Sequence, residues 1–180
     1  MSKGRRLVFL TSLIALCLSL SCGANLFASS ESTPTLSDEQ IGLISQNCSS
    51  IKLQLQKIQR TDAKSRVNLG SRYERLSSEL MLNLNLRLVK GNHASSTLAK
   101  QQTTFINERE RFRNDYIGYS QALDSLIAID CRAKPQKFYD QLVLTRRKRA
   151  DIAKSMRRIE GIIEKHRVAV ESLKEEFMHE

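Results

Sequence analysis

From Phe138 to the C-terminus, positions recur at alternating steps of four and three: Phe138, Leu142, Thr145, Arg149, Ile152, Met156, Ile159, Ile163, His166, Val170, Leu173 and Phe177. Only Thr145, Arg149 and His166 interrupt an otherwise apolar series. A four–three spacing keeps side chains on one face of a helix, and a seam sustained this long is the mark of a coiled coil. Pro135 suits the first position of that helix, because its missing N–H would have no intrahelical partner there. The spacing therefore predicts one helix over 135–178.

The preceding segment carries a seven-residue series, Leu98, Phe105, Phe112, Tyr119 and Leu126, all apolar or aromatic. Its companion series, Gln102, Arg109, Tyr116, Leu123 and Asp130, is mixed. That mixture suggests one side of this helix faces solvent or a partner. Its predicted extent is 93–131. Before it, Ile41, Ile44, Cys48, Ile51, Leu55 and Ile58 follow the same spacing. The pattern meets Asp62 and Ser65, changes phase as a stutter does, and resumes through Leu69, Tyr73, Leu76, Leu80, Leu84 and Leu88. Ser37, with Asp38, Glu39 and Gln40 after it, reads as an N-cap with a capping box. Gly91-Asn92 reads as the end, so the first helix spans 37–90. Leu82 to Leu88 alternates like a strand, but it stands in a helical context. Two prolines and seven glycines in 180 residues leave few turns for a sheet protein. The expected fold is all-α: an elongated antiparallel three-helix bundle with a coiled-coil core over 37–180.

That topology makes a prediction about the cysteines. Cys48 lies 43 residues before Gly91 and Cys131 lies 40 after it. At 1.5 Å per residue both stand roughly 60–65 Å from the first turn, so antiparallel helices bring them to one level. A Cys48–Cys131 disulfide is expected there, given an oxidising compartment. The same mirror relation places Asp62 beside Tyr119 and, across the second turn, beside Thr145 and Arg149. An Asp62–Arg149 pair buried in the core would set the register of the helices.

The oxidising compartment is argued from the N-terminus. Lys3, Arg5 and Arg6 precede an apolar run from Leu7 to Leu20, and no acidic residue occurs before Glu31. This is the layout of an export signal over 1–28, either cleaved after Ala24 or Ala28 or kept as a membrane anchor. Cys22 resembles a lipidation site, although the leucine of the motif is one place late. A polar linker is expected over 29–36. From Ser29 onward there remain 26 basic and 19 acidic side chains, a net charge of +7. Export directs that charge toward anionic wall polymer, a membrane surface or a protein, and away from nucleic acid. Arg146, Arg147, Lys148, Arg157 and Arg158 form the densest basic patch.

Residues for catalysis are not evident. The three histidines, His93, His166 and His179, are far apart, and His166, the one on a core seam, has no second ligand at i+3 or i+4. No nucleophile elbow, zinc-protease motif, phosphate-binding glycine loop or calcium loop occurs. No catalytic residue, cofactor or metal is therefore expected, and the chain does not read as an enzyme.

Asn47-Cys48, Leu55 with Gln59-Arg60, Asn85-Leu86-Arg87-Leu88, Ile129-Asp130-Cys131 and Phe138-Tyr139 carry a family resemblance. The exported part resembles a family of short, signal-bearing helical proteins from bacteria with reduced genomes. That family has no assigned activity, and the resemblance implies an envelope location only. In size, basic charge and long helices the chain is also similar to periplasmic holdase chaperones of the Skp type, without a strand region to match their barrel. The sequence thus points to an exported structural or adaptor protein, secreted or tethered to the outer face of the cytoplasmic membrane. It would act through exposed helix faces on a protein partner or on itself. A holdase and a secreted effector are the alternatives.

Overall fold

The computed structural model describes residues 35–179. The export signal expected over 1–28, its cleavage and lipidation sites and all but the last residues of the expected linker lie outside the described residues. The described chain is all-helical, in the order α1 (Asp38–Arg75), a π-helical turn (Leu76–Met81), α2 (Leu82–Lys90), α3 (Ser96–Ala128) and α4 (Pro135–His179). The helix runs without a break from Asp38 to Lys90, so three antiparallel helical segments make the bundle. The strand-like stretch Leu82–Leu88 is helical.

Local chemistry sets each end. The Ser37 side chain accepts from the Gln40 N–H while the Gln40 side chain accepts from the Ser37 N–H, a complete capping box. Leu36, which the sequence assigns to the linker, is instead buried, and its N–H donates to Gln136 Oε1 at 2.9 Å. The bundle therefore begins before the cap. At the far end of this segment Asn92 takes a left-handed φ of 62°. The His93 N–H donates to the Leu88 carbonyl and the Asn92 N–H to that of Val89, which satisfies carbonyls the helix leaves open. Between α3 and α4, Asp130 Oδ1 accepts the N–H groups of Arg132 and Ala133, and those two bonds hold its carboxyl below the usual range.

The α3 series is the spine of the core. Leu98, Phe105, Phe112, Tyr119 and Leu126 are all buried. α3 and α4 pack along most of their length, whereas α1 rests chiefly on α3 and meets α4 at few points. In the mixed companion series Gln102 and Arg109 are half-buried, Tyr116 and Leu123 are buried and Asp130 is exposed. Gln102 Oε1 accepts from Asn85 Nδ2 at 2.6 Å, and Arg109 Nη1 pairs with Glu74 Oε2 at 2.5 Å. At these two positions α2 and α1 lie against that side of α3.

The core seam also departs from expectation where the helix widens. Leu80 is 61% exposed, and Met81, at 1%, takes the buried place assigned to it. A π turn holds more residues than an α turn, so the extra residue rotates the following side chains. Tyr73, Ser77, Met81 and Leu88 are the buried residues that result. At Asp62 and Ser65, where the sequence changes phase, the helix itself is continuous. What breaks there is the core. One cluster gathers Leu55, Tyr119, Leu123 and Phe138 near the disulfide, and another gathers Tyr73, Met81, Phe105 and Ile159.

Candidate functional site

Cys48 and Cys131 stand at disulfide distance, with Cα atoms 5.6 Å apart and both residues buried. The bond joins α1 to the turn between α3 and α4, at one end of the bundle. The level predicted from residue counts alone is the level found. Arg132 Nη2 also reaches Ser49 Oγ at 3.0 Å, a second tie across the same gap.

The core's break at Asp62 is filled by a polar group. Tyr119 donates its hydroxyl to Asp62 Oδ2 at 2.7 Å, and Arg149 Nη2 donates to Asp62 Oδ1 at 3.1 Å. Burial, followed by the hydrogen bond to Asp62, pushes the Tyr119 hydroxyl well above its ordinary value, so it remains a donor. The sequence reading makes Asp62–Arg149 a buried pair. The two residues do meet, but the Arg149 side chain is 58% exposed and that of Asp62 18%. The pair sits at the rim, because α1 does not close onto α4 here. Thr145 turns instead to backbone, donating to the Gln141 and Ala122 carbonyls.

Because α1 carries Asp62 and Ser65 where the seam calls for large apolar residues, a groove of about 660 Å³ opens between α1 and α4. Phe112, Tyr116 and Tyr119 of α3 form its floor, Leu69 belongs to its α1 wall, and Ile152, Ala153 and Met156 belong to its α4 wall. Arg66 stands on the α1 side and Arg146 with Arg149 on the α4 side. The Arg66 guanidinium lies 5.2 Å from the centre of the Tyr116 ring, a cation–π contact that holds it at the edge. Burial, then the nearby Asp62 carboxylate, raises the Tyr116 hydroxyl above its ordinary value, so the floor offers a phenol and no phenolate. Three guanidiniums against one carboxylate give the groove a net positive edge.

The basic patch expected from sequence is not one surface. Arg158 turns to α3, where its Nε pairs with Glu108 Oε2 at 2.7 Å and its Nη2 donates to the buried Ser155 Oγ. Ser155 in turn donates to Asp115 Oδ2. Lys148 lies along α3 as well, beside Gly118. Arg146 alone of the five lines the groove, and Arg147 and Arg157 are exposed. Consecutive residues on a helix fan out by about 100° each, so a run of four cations cannot share a face. Arg66 and Tyr116 were missed by sequence reasoning. The signal for Arg66 was its place one turn after Asp62.

A second groove, of about 480 Å³, runs between the π turn with α2 and α4, lined by Leu80, Leu84, Arg87, His166, Arg167 and Val170 among others. His166 Nδ1 is 3.2 Å from Gln101 Oε1, and burial lowers its pKa. Among the described residues no cluster of His, Cys, Asp and Glu could hold a metal ion, and no helix is long and apolar enough to cross a membrane. Comparison of the chain with known protein families, with characterised proteins and with solved structures finds no match.

Proposed function

We propose that this chain is an exported, non-enzymatic adaptor of the bacterial envelope that recognises another protein through a face left open between its helices. The observation that carries the reading is the sparse packing of α1 against α4, which leaves the half-open groove over Tyr116 and Tyr119. Its rim offers guanidiniums and its floor offers apolar and phenolic surface, a mixture suited to binding. The disulfide supports an oxidising location, since such bonds are rare in the bacterial cytoplasm. It also ties α1 to the turn between α3 and α4.

A holdase is the second reading. Leu43, Leu53, Val67, Leu80 and Val89 are all more than half exposed on α1, the π turn and α2, a scatter of apolar sites that non-native chains could share. Crosslinking in intact cells that carry the tagged full-length chain, followed by mass spectrometry, separates the two. One stoichiometric envelope protein supports the adaptor. A broad spread of unfolded exported chains sinks it and favours the holdase.

A further inference from the structure

The groove between α1 and α4 has the form of a bundle position with no helix in it. Two parallel helices, α1 and α4, wall it and α3, antiparallel to both, lies beneath, which is how three helices of an up-down-up-down four-helix bundle surround the place of the fourth. Its walls carry small residues, Ser65 on α1 and Ala150 with Ala153 on α4, so a backbone can come close. Beneath them lies an apolar strip of Leu69, Phe112, Ile152 and Met156.

Charge decides what fits. Arg66 and Arg146 edge the groove from opposite walls, and neither pairs with a carboxylate among the described residues. Arg149 is already oriented by Asp62. Arg157, eleven residues after Arg146 and so about three turns on, continues the charge along α4. An occupant must therefore be apolar along one stripe and acidic on both sides of it. The chain's own N-terminal segment is excluded by charge, with Lys3, Arg5 and Arg6 and no acidic residue before Glu31. An anionic membrane calls for cations spread over one flat face, whereas Lys148 and Arg158 turn away toward α3.

We infer that the groove binds an amphipathic helix of a partner protein, its apolar stripe seated on Phe112 and Ile152 and its flanking Glu or Asp side chains paired with Arg66 and Arg146. This rests on the adaptor reading and names the site and the partner's chemistry. Arg66 and Arg146 act as the two jaws, and flanking charges of the wrong sign are rejected.

The test uses the purified, disulfide-intact chain and two labelled synthetic amphipathic peptides with one apolar stripe, flanked by Glu in the first and by Lys in the second. Fluorescence anisotropy should show the Glu-flanked peptide binding at least about tenfold more tightly, with the difference shrinking in high salt. Arg66→Glu with Arg146→Glu, both at exposed positions, should reverse the preference while leaving the helical circular dichroism unchanged. Ala153→Trp, which fills the groove, should block both peptides. Equal affinities, no binding, or binding indifferent to the charge reversal overturns the inference. So does binding of the chain to phosphatidylglycerol vesicles through these same arginines in the absence of peptide binding. A single cellular partner crosslinked to another face leaves the adaptor standing and removes this site. Peptide binding alongside a spread of unfolded cellular clients does the reverse.

Discussion

Tyr119 donates its hydroxyl to Asp62 Oδ2 at 2.7 Å, leaving Oδ1 to receive Arg149 at 3.1 Å. The two donors differ in worth because they differ in burial. Tyr119 is 2% exposed, while Arg149 stands largely in solvent. Tyr119→Phe should therefore destabilise the bundle by about 1–1.5 kcal/mol in urea denaturation. Arg149→Ala should cost under about 1 kcal/mol. Asp62→Ala should exceed both, since it leaves the buried Tyr119 hydroxyl unpartnered. The reverse ranking would show that the arginine holds the register.

The disulfide closes a loop with a sequence separation of 83. Chain-entropy arguments give such a bond an upper value of about 4–5 kcal/mol. Cys48→Ser with Cys131→Ser should lower stability by up to that amount and leave the helical circular dichroism in place at low temperature. Peptide mapping under non-reducing conditions should recover the two cysteines in one linked fragment. Recovery as two free thiols from oxidised material would refute the pairing.

Leu80 and Met81 offer a direct reading of the π turn. Met81→Ala should cost about 2–4 kcal/mol by emptying a core position. Leu80→Ser should change stability by less than about 0.5 kcal/mol, as at other surface positions. If the helix were α-helical throughout, the two effects would exchange places. Thermal melts of both variants decide the matter.

His166 makes stability depend on pH. Burial depresses its folded pKa below the ordinary 6.5, so the unfolded chain binds the proton more readily. Its contribution is complete above about pH 6.5 and is lost as pH falls toward the folded value. Arg87, Arg167 and Glu79 line the same groove. His166→Gln should flatten the fall in urea midpoint between about pH 7.5 and 5.5 relative to the parent chain. An unchanged slope would place the pH response on the carboxylates.

A small network between α3 and α4 gives the last expectation. Ser155 is fully buried, donates to Asp115 and accepts from Arg158, which is itself held by Glu108. Ser155→Val removes the hydroxyl from two charged partners and should cost about 2 kcal/mol or more. Ser155→Ala, which adds no bulk, should cost somewhat less. Chemical denaturation checks both.

How much of this was legible follows from what repeats. The aromatic and leucine series on α3 and the four–three seam on α4 are periodic, and periodicity carries a helix's buried face directly. Because antiparallel packing mirrors residue counts about a turn, Cys48 with Cys131 and Asp62 with Arg149 could be matched before any coordinates. Features that depend on a single residue's rotation were hidden. Met81 displaces Leu80 through one widened turn, and nothing in Leu76–Met81 announces it by composition. Ser155 looks like any surface serine until α3 brings Asp115 beside it. The groove was half visible, as a phase change at Asp62 and Ser65. Its meaning was not, since a defect in one seam becomes a cleft only when the third helix fails to close over it.

The placement of the disulfide also has a mechanical consequence. Tension applied between the start of α1 and the end of α4 passes through the Cys48–Cys131 bond, which lies in series with both. The chain between the two sulfurs then bears no load. At 3.3–3.6 Å per residue this shields roughly 280 Å of contour from extension, and only the start of α1 and the whole of α4 can pay out while the bond is intact. Pulled from its ends, the oxidised protein would lengthen only by these outer segments and then hold; the reduced protein would go on to unravel throughout.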